Sequence, residues 1–345
     1  MKASEIFAAL NLLVEARQPT FVWGQPGIGK SDLMAQVAEA RKVPLQDVRA
    51  LLLDPVDLRG LPYLYGSDQD SASVNGNGTN GNGGHGLRQA KWASPDFLPR
   101  GGEGILFLDE LNAAAPMVQA SCYQLVLDRK LGDYRLPDGW SIVAAGNRQT
   151  DRAVTHQMPT PLKSRFTHLD FEVDLNDWCL WAIRHSIRPE VIAFLRFKPE
   201  LLSQFDRDKN AFPAPRTWAF VSKILNQRPQ PTIENALIAG TVGDGAATEF
   251  VAFLKTFREL PNIDAILMSP DTEAVPTEAS AQHSVAGALA YAATAANFDR
   301  VYTYLQRMPP EFTVFAVRDA MLRSPDVKHT PAFTRFAVEH HQVLS

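Results

Sequence analysis

Eight consecutive residues, Gly24, Gln25, Pro26, Gly27, Ile28, Gly29, Lys30 and Ser31, match the pattern G-x-x-x-x-G-K-[ST] at every position. That spacing suits the holding of a polyphosphate. Glycines let backbone N–H groups turn inward around phosphate oxygens, and a helix beginning at the end of the run adds the positive end of its dipole. Lys30 would reach the β- and γ-phosphates as a point charge, and the Ser31 hydroxyl would ligate Mg2+. The blander alternative is a glycine-rich turn without a ligand. The flanks disfavour it, because an apolar run (Thr20, Phe21, Val22, Trp23) precedes the pattern and a helical one, over 31–40, follows it.

Further along stand residues that could complete such a site. The run Ile105, Leu106, Phe107, Leu108 ends in Asp109 and Glu110. Two carboxylates closing a buried strand are costly unless a cation or a water engages them. Successive strand residues point to opposite sides, so Asp109 is expected to hold Mg2+ and Glu110 to polarise an attacking water. Asn147 closes the apolar stretch SIVAAGN and could orient that water. Arg165, in LKSRF, could be offered to a neighbouring subunit's γ-phosphate, although a surface ion pair is the commoner fate of an arginine. Arg216, in PAPRT, could contact the phosphates from a helix start, with Arg148 and Arg152 as weaker candidates for the same interface.

These residues need a scaffold. Short apolar runs over 20–23, 48–53, 105–108, 141–147 and 168–173 read as strands. Helical patterns lie between them, at 31–40 and at 116–127, the latter with Val118, Cys122, Leu125 and Val126 on one face. Strands alternating with helices imply a parallel sheet covered on both faces. An amphipathic helix carrying Ile6, Phe7, Leu10, Leu13 and Val14 opens the chain, with Glu5 inside its apolar stretch where a signal sequence would carry none. Residues 66–86 hold seven of the 21 glycines and almost nothing apolar, so a mobile loop is expected there. Beyond 174 the strand signals stop. Helices are expected at 176–185, 189–197, 216–226, 233–241, 247–257, 284–295, 300–306 and 310–321, with a linker or loop at 269–278.

Composition sets the outer bounds. At 345 residues, 45% hydrophobic and 21% charged, the chain is that of a globular protein of about two domains. A net charge of −4 supplies no global field for nucleic acid or anionic membrane. Its two cysteines cannot make a disulfide framework, and no apolar run reaches the roughly 18–20 residues of a membrane span. A reducing cytoplasm is the expected compartment.

Taken in order, GQPGIGKS, ILFLDE, AAGN, LKSRF and PAPRT resemble the Walker A, Walker B, sensor 1, arginine-finger and sensor 2 elements of an AAA+ ATPase. The stretches LLLDPVDLRGLPYL and LNAAAPMVQASCYQLVLDRKLGD resemble the MoxR-like (AAA_5) branch, and the likeness covers residues 1–227. It implies an α/β P-loop core with a parallel five-stranded sheet in the order 5-1-4-3-2, then a helical lid and a C-terminal helical region. The domains would be 1–174 (with 66–86 as an insert), 175–230 and 231–345. The likeness implies a hairpin insert before the Walker B strand, ATP and Mg2+ as cofactors, and a homo-oligomer, usually a hexameric ring with ATP at subunit boundaries. It also implies a partner bearing a von Willebrand factor A domain and a remodelling or chaperone-like role. Competing readings are a nucleotide-gated scaffold with slow hydrolysis and another P-loop enzyme such as a small-molecule kinase. No N-K-x-D follows the AAGN stretch, which favours ATP over GTP.

Overall fold

The computed structural model describes residues 1–65, 89–93, 95–148, 156–258, 260 and 262–340. The 66–86 segment, expected as a mobile insert, and Arg152 lie outside the described residues. The chain forms two compact units. One comprises Met1, Glu5–Gly24 and Lys30–Phe171, the other Lys2–Ser4, Gln25–Gly29 and Glu172–Ser345.

In chain order the first stretch carries α1 (Ala3–Glu15), β1 (Thr20–Trp23), α2 (Lys30–Arg41), β2 (Leu45–Arg49), α3 (Pro55–Arg59), β3 (Leu61–Tyr65) and β4 (Gln89–Ala93). There follow β5 (Glu103–Asp109), α4 (Pro116–Asp128), β6 (Lys130–Leu131), β7 (Tyr134–Arg135), β8 (Gly139–Gly146), α5 (Thr160–Lys163) and β9 (Thr167–Asp170). Five strands make one sheet in the order β2-β5-β8-β1-β9, every pair parallel. Counted along the chain, this is the order 5-1-4-3-2 that the family resemblance implies. Ile105–Leu108 is buried residue after residue, as a strand covered on both faces must be. Packed beneath the sheet are the α4 side chains Val118, Cys122, Leu125 and Val126, all buried. α1 buries Ile6, Leu10 and Val14, and the Ser141 hydroxyl donates to the Val14 carbonyl at 2.7 Å. β3 and β4 pair antiparallel, forming a hairpin ahead of β5.

The second strand differs from the expectation of 48–53. It is Leu45–Arg49, and Ala50–Leu52 coils into a 3-10 turn with Leu51 and Leu52 exposed. Arg49 pairs with Asp109, the last residue of β5, so beyond that register the ladder has no partner to continue against. Apolar content alone did not mark where pairing stops.

The second unit is helical among its described residues: α6 (Leu175–Arg184), α7 (Pro189–Phe197), α8 (Pro215–Asn226), α9 (Pro231–Val242), α10 (Asp244–Arg258), α11 (Ile263–Met268), α12 (Ala279–Ala292), α13 (Phe298–Leu305), α14 (Pro310–Arg323) and α15 (Pro331–Glu339). Its apolar packing falls into two cores. Trp178, Phe194, Trp218, Ile238 and Phe250 belong to one, and Ile266, Leu289, Tyr302 and Phe336 to the other. α9 and α10 bury Ile238, Val242, Phe250 and Leu254 in the first of these cores, with side chains from α6–α8. The 269–278 segment is no free linker. It is pinned to the second core by Tyr304 Oη donating to Ala274 O (2.7 Å) and by Arg307 Nη1 donating to Pro270 O (2.6 Å).

Candidate functional site

The sheet order explains why distant residues meet. β5, β8 and β1 are adjacent and parallel, so their C-terminal ends lie on one edge of the sheet. Asp109 ends β5, Asn147 follows β8 and Gly24 follows β1. Ligands of open parallel sheets bind outside these strand ends.

Lys30, the first residue of α2, directs its ammonium to two oxygens on that edge. Nζ donates to Gly24 O at 2.7 Å and to Asn147 Oδ1 at 3.0 Å. Next in line, Ser31 donates from Oγ to Asp109 Oδ2 at 2.8 Å. The other carboxylate oxygen, Oδ1, accepts the Glu110 N–H at 2.9 Å. A second carboxyl, Asp47 on β2, is pushed up from its ordinary range by burial first and by the charge of Asp109 second, with Arg49 opposing. At the strand end itself the Asp109 carboxylate stands beside the Ser31 hydroxyl, oxygen donors of the kind a hard cation takes.

Between Gly24 and Lys30 the backbone takes φ of +81° at Gly27 and +99° at Gly29, conformations that glycine adopts without a Cβ clash. A side chain at Gly27 would also meet Ala214 Cβ at 3.2 Å. The Gly27 carbonyl accepts the Arg216 N–H at 3.1 Å, and Ser203 Oγ donates to Gln25 Oε1 at 3.2 Å. Ile28 is buried.

Glu110 departs from the expected strand alternation. The strand ends at Asp109, and Glu110 sits at φ +54°, ψ +33°, before a 3-10 turn over Leu111–Ala113. Its direction is therefore set by a left-handed backbone, a costly conformation for a non-glycine residue and one that clusters at functional sites.

Sequence reasoning missed Asn112. This buried side chain grips the end of β8: Nδ2 donates to Asn147 O at 2.7 Å, and Oδ1 accepts the Asn147 N–H at 3.2 Å. The grip depends on Gly146, where an added Cβ would lie 2.1 Å from Asn112 Oδ1. The signal was available in the glycine that precedes Asn147, which marks a close approach.

The arginines differ. Arg148 is committed to the end of β9, its Nε 3.3 Å from Asp170 Oδ1 and its Nη2 donating to Phe171 O at 3.0 Å. Arg165 lies in the turn between α5 and β9, exposed, and makes no side-chain ion pair among the described residues. Arg216 is the second residue of α8, also exposed. The structure thus joins Lys30 to Asn147 and Ser31 to Asp109 through side-chain hydrogen bonds, ties Glu110 to Asp109 only by its backbone N–H, and leaves Arg165 outside these bonds. Cys122 and Cys179 are free and buried, and burial pushes the Cys122 thiol up to about 12, which leaves it inert. Among the described residues no group of three or more His, Cys, Asp or Glu could hold a metal, and no helix is long and apolar enough to cross a membrane.

No protein-family model matches the chain, and no curated protein does. Among solved structures, the chain is similar to a RuvB mutant from Thermotoga maritima at 15% identity and a TM-score of 0.41, over 83% of this chain and 82% of that one. The Thermotoga maritima RuvB Holliday junction branch migration motor gives 15% and 0.39, over 78% and 82%. NtrX from Brucella abortus in complex with ADP gives 14% and 0.40, over 83% of this chain and 61% of that one.

Proposed function

We propose that the chain is a Mg2+-dependent ATPase of the AAA+ class and the MoxR-like branch, working as a ring of like subunits, usually six, that remodels a protein partner. One observation carries this reading: the convergence of Lys30, Ser31, Asp109 and Asn147, joined by hydrogen bonds of 2.8 Å and 3.0 Å at the ends of adjacent parallel strands. Each of these groups offers a phosphate–cation complex what its chemistry requires. Residues 24–31 would cradle the phosphates, with Lys30 exchanging its present acceptors for phosphate oxygens. The Ser31 hydroxyl and the Asp109 carboxylate would hold Mg2+, which when bound neutralises charge on the phosphates. Glu110 would take a proton from the attacking water, and Asn147, steadied by Asn112, would orient that water.

Arg165 fits the role of an arginine supplied in trans. An exposed guanidinium without an ion-pair partner among the described residues is free to meet a neighbour's γ-phosphate. Arg216, tied to the phosphate loop through its own N–H, would report nucleotide state to the helical lid. That lid would run through 258, since α9 and α10 share its core. A partner with a von Willebrand factor A domain belongs to the same reading.

The test compares ATP binding and turnover. Lys30→Ala should lower ATP affinity about 100-fold or more, a charge-assisted interaction of about 3 kcal/mol. Glu110→Gln should bind ATP normally, and in ATP it should retain the assembly and its partner for identification. Unchanged affinity in Lys30→Ala, measured by calorimetry, would remove the phosphate-loop assignment and this reading with it.

A further inference from the structure

We propose that His168 is a positioning residue for Arg165, tying the turn that carries it to the strand that leads into the phosphate loop. The proposal rests on the reading of Arg165 as the arginine that acts in trans. It starts from the register of β1 and β9, where Phe21 pairs with His168 and Trp23 with Asp170, so Trp23 and His168 are diagonal neighbours on one face of the sheet. Trp23 Nε1 donates to His168 Nδ1 at 2.9 Å. An indole nitrogen can only donate, so Nδ1 is the acceptor and the ring hydrogen is on Nε2. That second nitrogen lies 2.9 Å from Lys163 O, which can only accept. Both ring nitrogens are therefore paired, and tautomer and orientation are determined together. The two rings lie within 23° of parallel with centroids 5.9 Å apart, side by side as an in-plane N–H···N bond requires.

What this link joins is specific. Lys163 ends α5, two residues before Arg165, and its carbonyl also accepts the Phe166 N–H at 3.2 Å. The chain on both sides of Arg165 is thus tied to one oxygen. At the other end, Trp23 immediately precedes Gly24, whose carbonyl accepts from Lys30 Nζ. A histidine that merely filled an exposed sheet edge would leave its nitrogens to water. Here both are used, one toward the phosphate-loop strand and one toward the arginine turn. The link adds a side-chain brace to the backbone ladder, and it sets where the Arg165 side chain begins its reach toward a neighbour.

Amide side chains separate the two bonds. In His168→Gln the amide nitrogen falls near the place of Nε2 and can still donate to Lys163 O. In His168→Asn an acceptor remains near Nδ1 but no donor reaches the carbonyl. We expect His168→Ala and His168→Asn to lower kcat about threefold to tenfold, the loss of a bond worth about 1 kcal/mol. ATP affinity should stay at the wild-type value, and the melting temperature should fall by no more than about 2–4 °C. His168→Gln, which gives up the bond from Trp23, should be as impaired as His168→Asn, because the brace needs both ends. In rings mixed with Glu110→Gln subunits, His168→Ala should be complemented as Arg165→Ala is, because each defect acts on the neighbour's site. Should His168→Ala or either amide variant turn over normally while Arg165→Ala does not, the proposal fails and the role of Arg165 stands. Full turnover in Arg165→Ala would instead remove the reading beneath it.

Discussion

The polar network at the strand ends of the first unit and the one inside the second are built from the same interactions to opposite effect. In the first, Lys30, Ser31, Asp109 and Asn147 are half-buried, and Lys30 meets Asn147 at 3.0 Å and Ser31 meets Asp109 at 2.8 Å close to solvent. In the second, Arg196 on α7 and Asp319 on α14 are 2.8 Å apart, with side chains 13% and 7% exposed, and the Arg196 guanidinium lies 4.5 Å from the centroid of Phe315. Removing either partner would leave the other charge buried without its ion pair. The difference teaches what burial does to a charged group. Near water it stays available for exchange, while in the interior its partner is obligatory and it fixes how two helices pack.

Substitutions should therefore separate function from stability in opposite senses in the two units. The largest effect belongs to Glu110→Gln. Turnover should fall about 10²–10⁴-fold, as for loss of a general base, with the melting temperature unchanged. A lowered melting temperature would place Glu110 with the structural group. Next comes Arg196→Met, which leaves Asp319 buried and unpaired. It should cost about 3–5 kcal/mol in denaturant titration while turnover per folded molecule holds. Asn112→Ala is the case that sharpens the division, since Asn112 is buried like the second group but serves the first. We expect a loss of about 1–3 kcal/mol together with reduced turnover, because the Asn147 backbone N–H loses its acceptor. Normal turnover in that variant would show that Asn147 keeps its position without help.

The last contrast is a pH dependence in the helical unit. His283 packs among Phe197, Phe312 and Phe315. Its imidazole is pushed down from 6.5 to about 4, by burial first and by the Arg196 charge second, with Glu311 opposing. Between those values the unfolded chain takes up a proton that the folded chain refuses. Stability from this group is thus fully present above about pH 6.5 and declines as pH falls toward about 4. Melting temperatures across that range should fall less steeply in His283→Phe than in the wild type.

How much of this was legible in advance follows from how local each feature is. Residues 24–31 declare themselves because the glycines, the lysine and the hydroxyl of the pattern lie within eight consecutive residues. Thr20–Trp23 was readable as a strand to the residue, and α4 as a helix to within one. Elements whose limits depend on a distant partner were not. β2 stops where β5 stops, and 269–278 is held by side chains from α13 and the residues just after it. α11 is six residues long and draws its stability from a core assembled across some seventy residues, so its own periodicity was too brief to read.

By itself the sequence determined the chemistry on offer: a glycine-rich run, a lysine, a hydroxyl and two adjacent carboxylates, because those depend on residue type and short spacing. Only the tertiary structure decided that Asn112 steadies Asn147, that Glu110 turns off its strand in a left-handed conformation, that Arg148 is committed to β9 while Arg165 is not, and that His168 uses both nitrogens. Each of these depends on which strand ends adjoin, and adjacency in a parallel sheet is set by long-range packing that no short stretch of residues encodes.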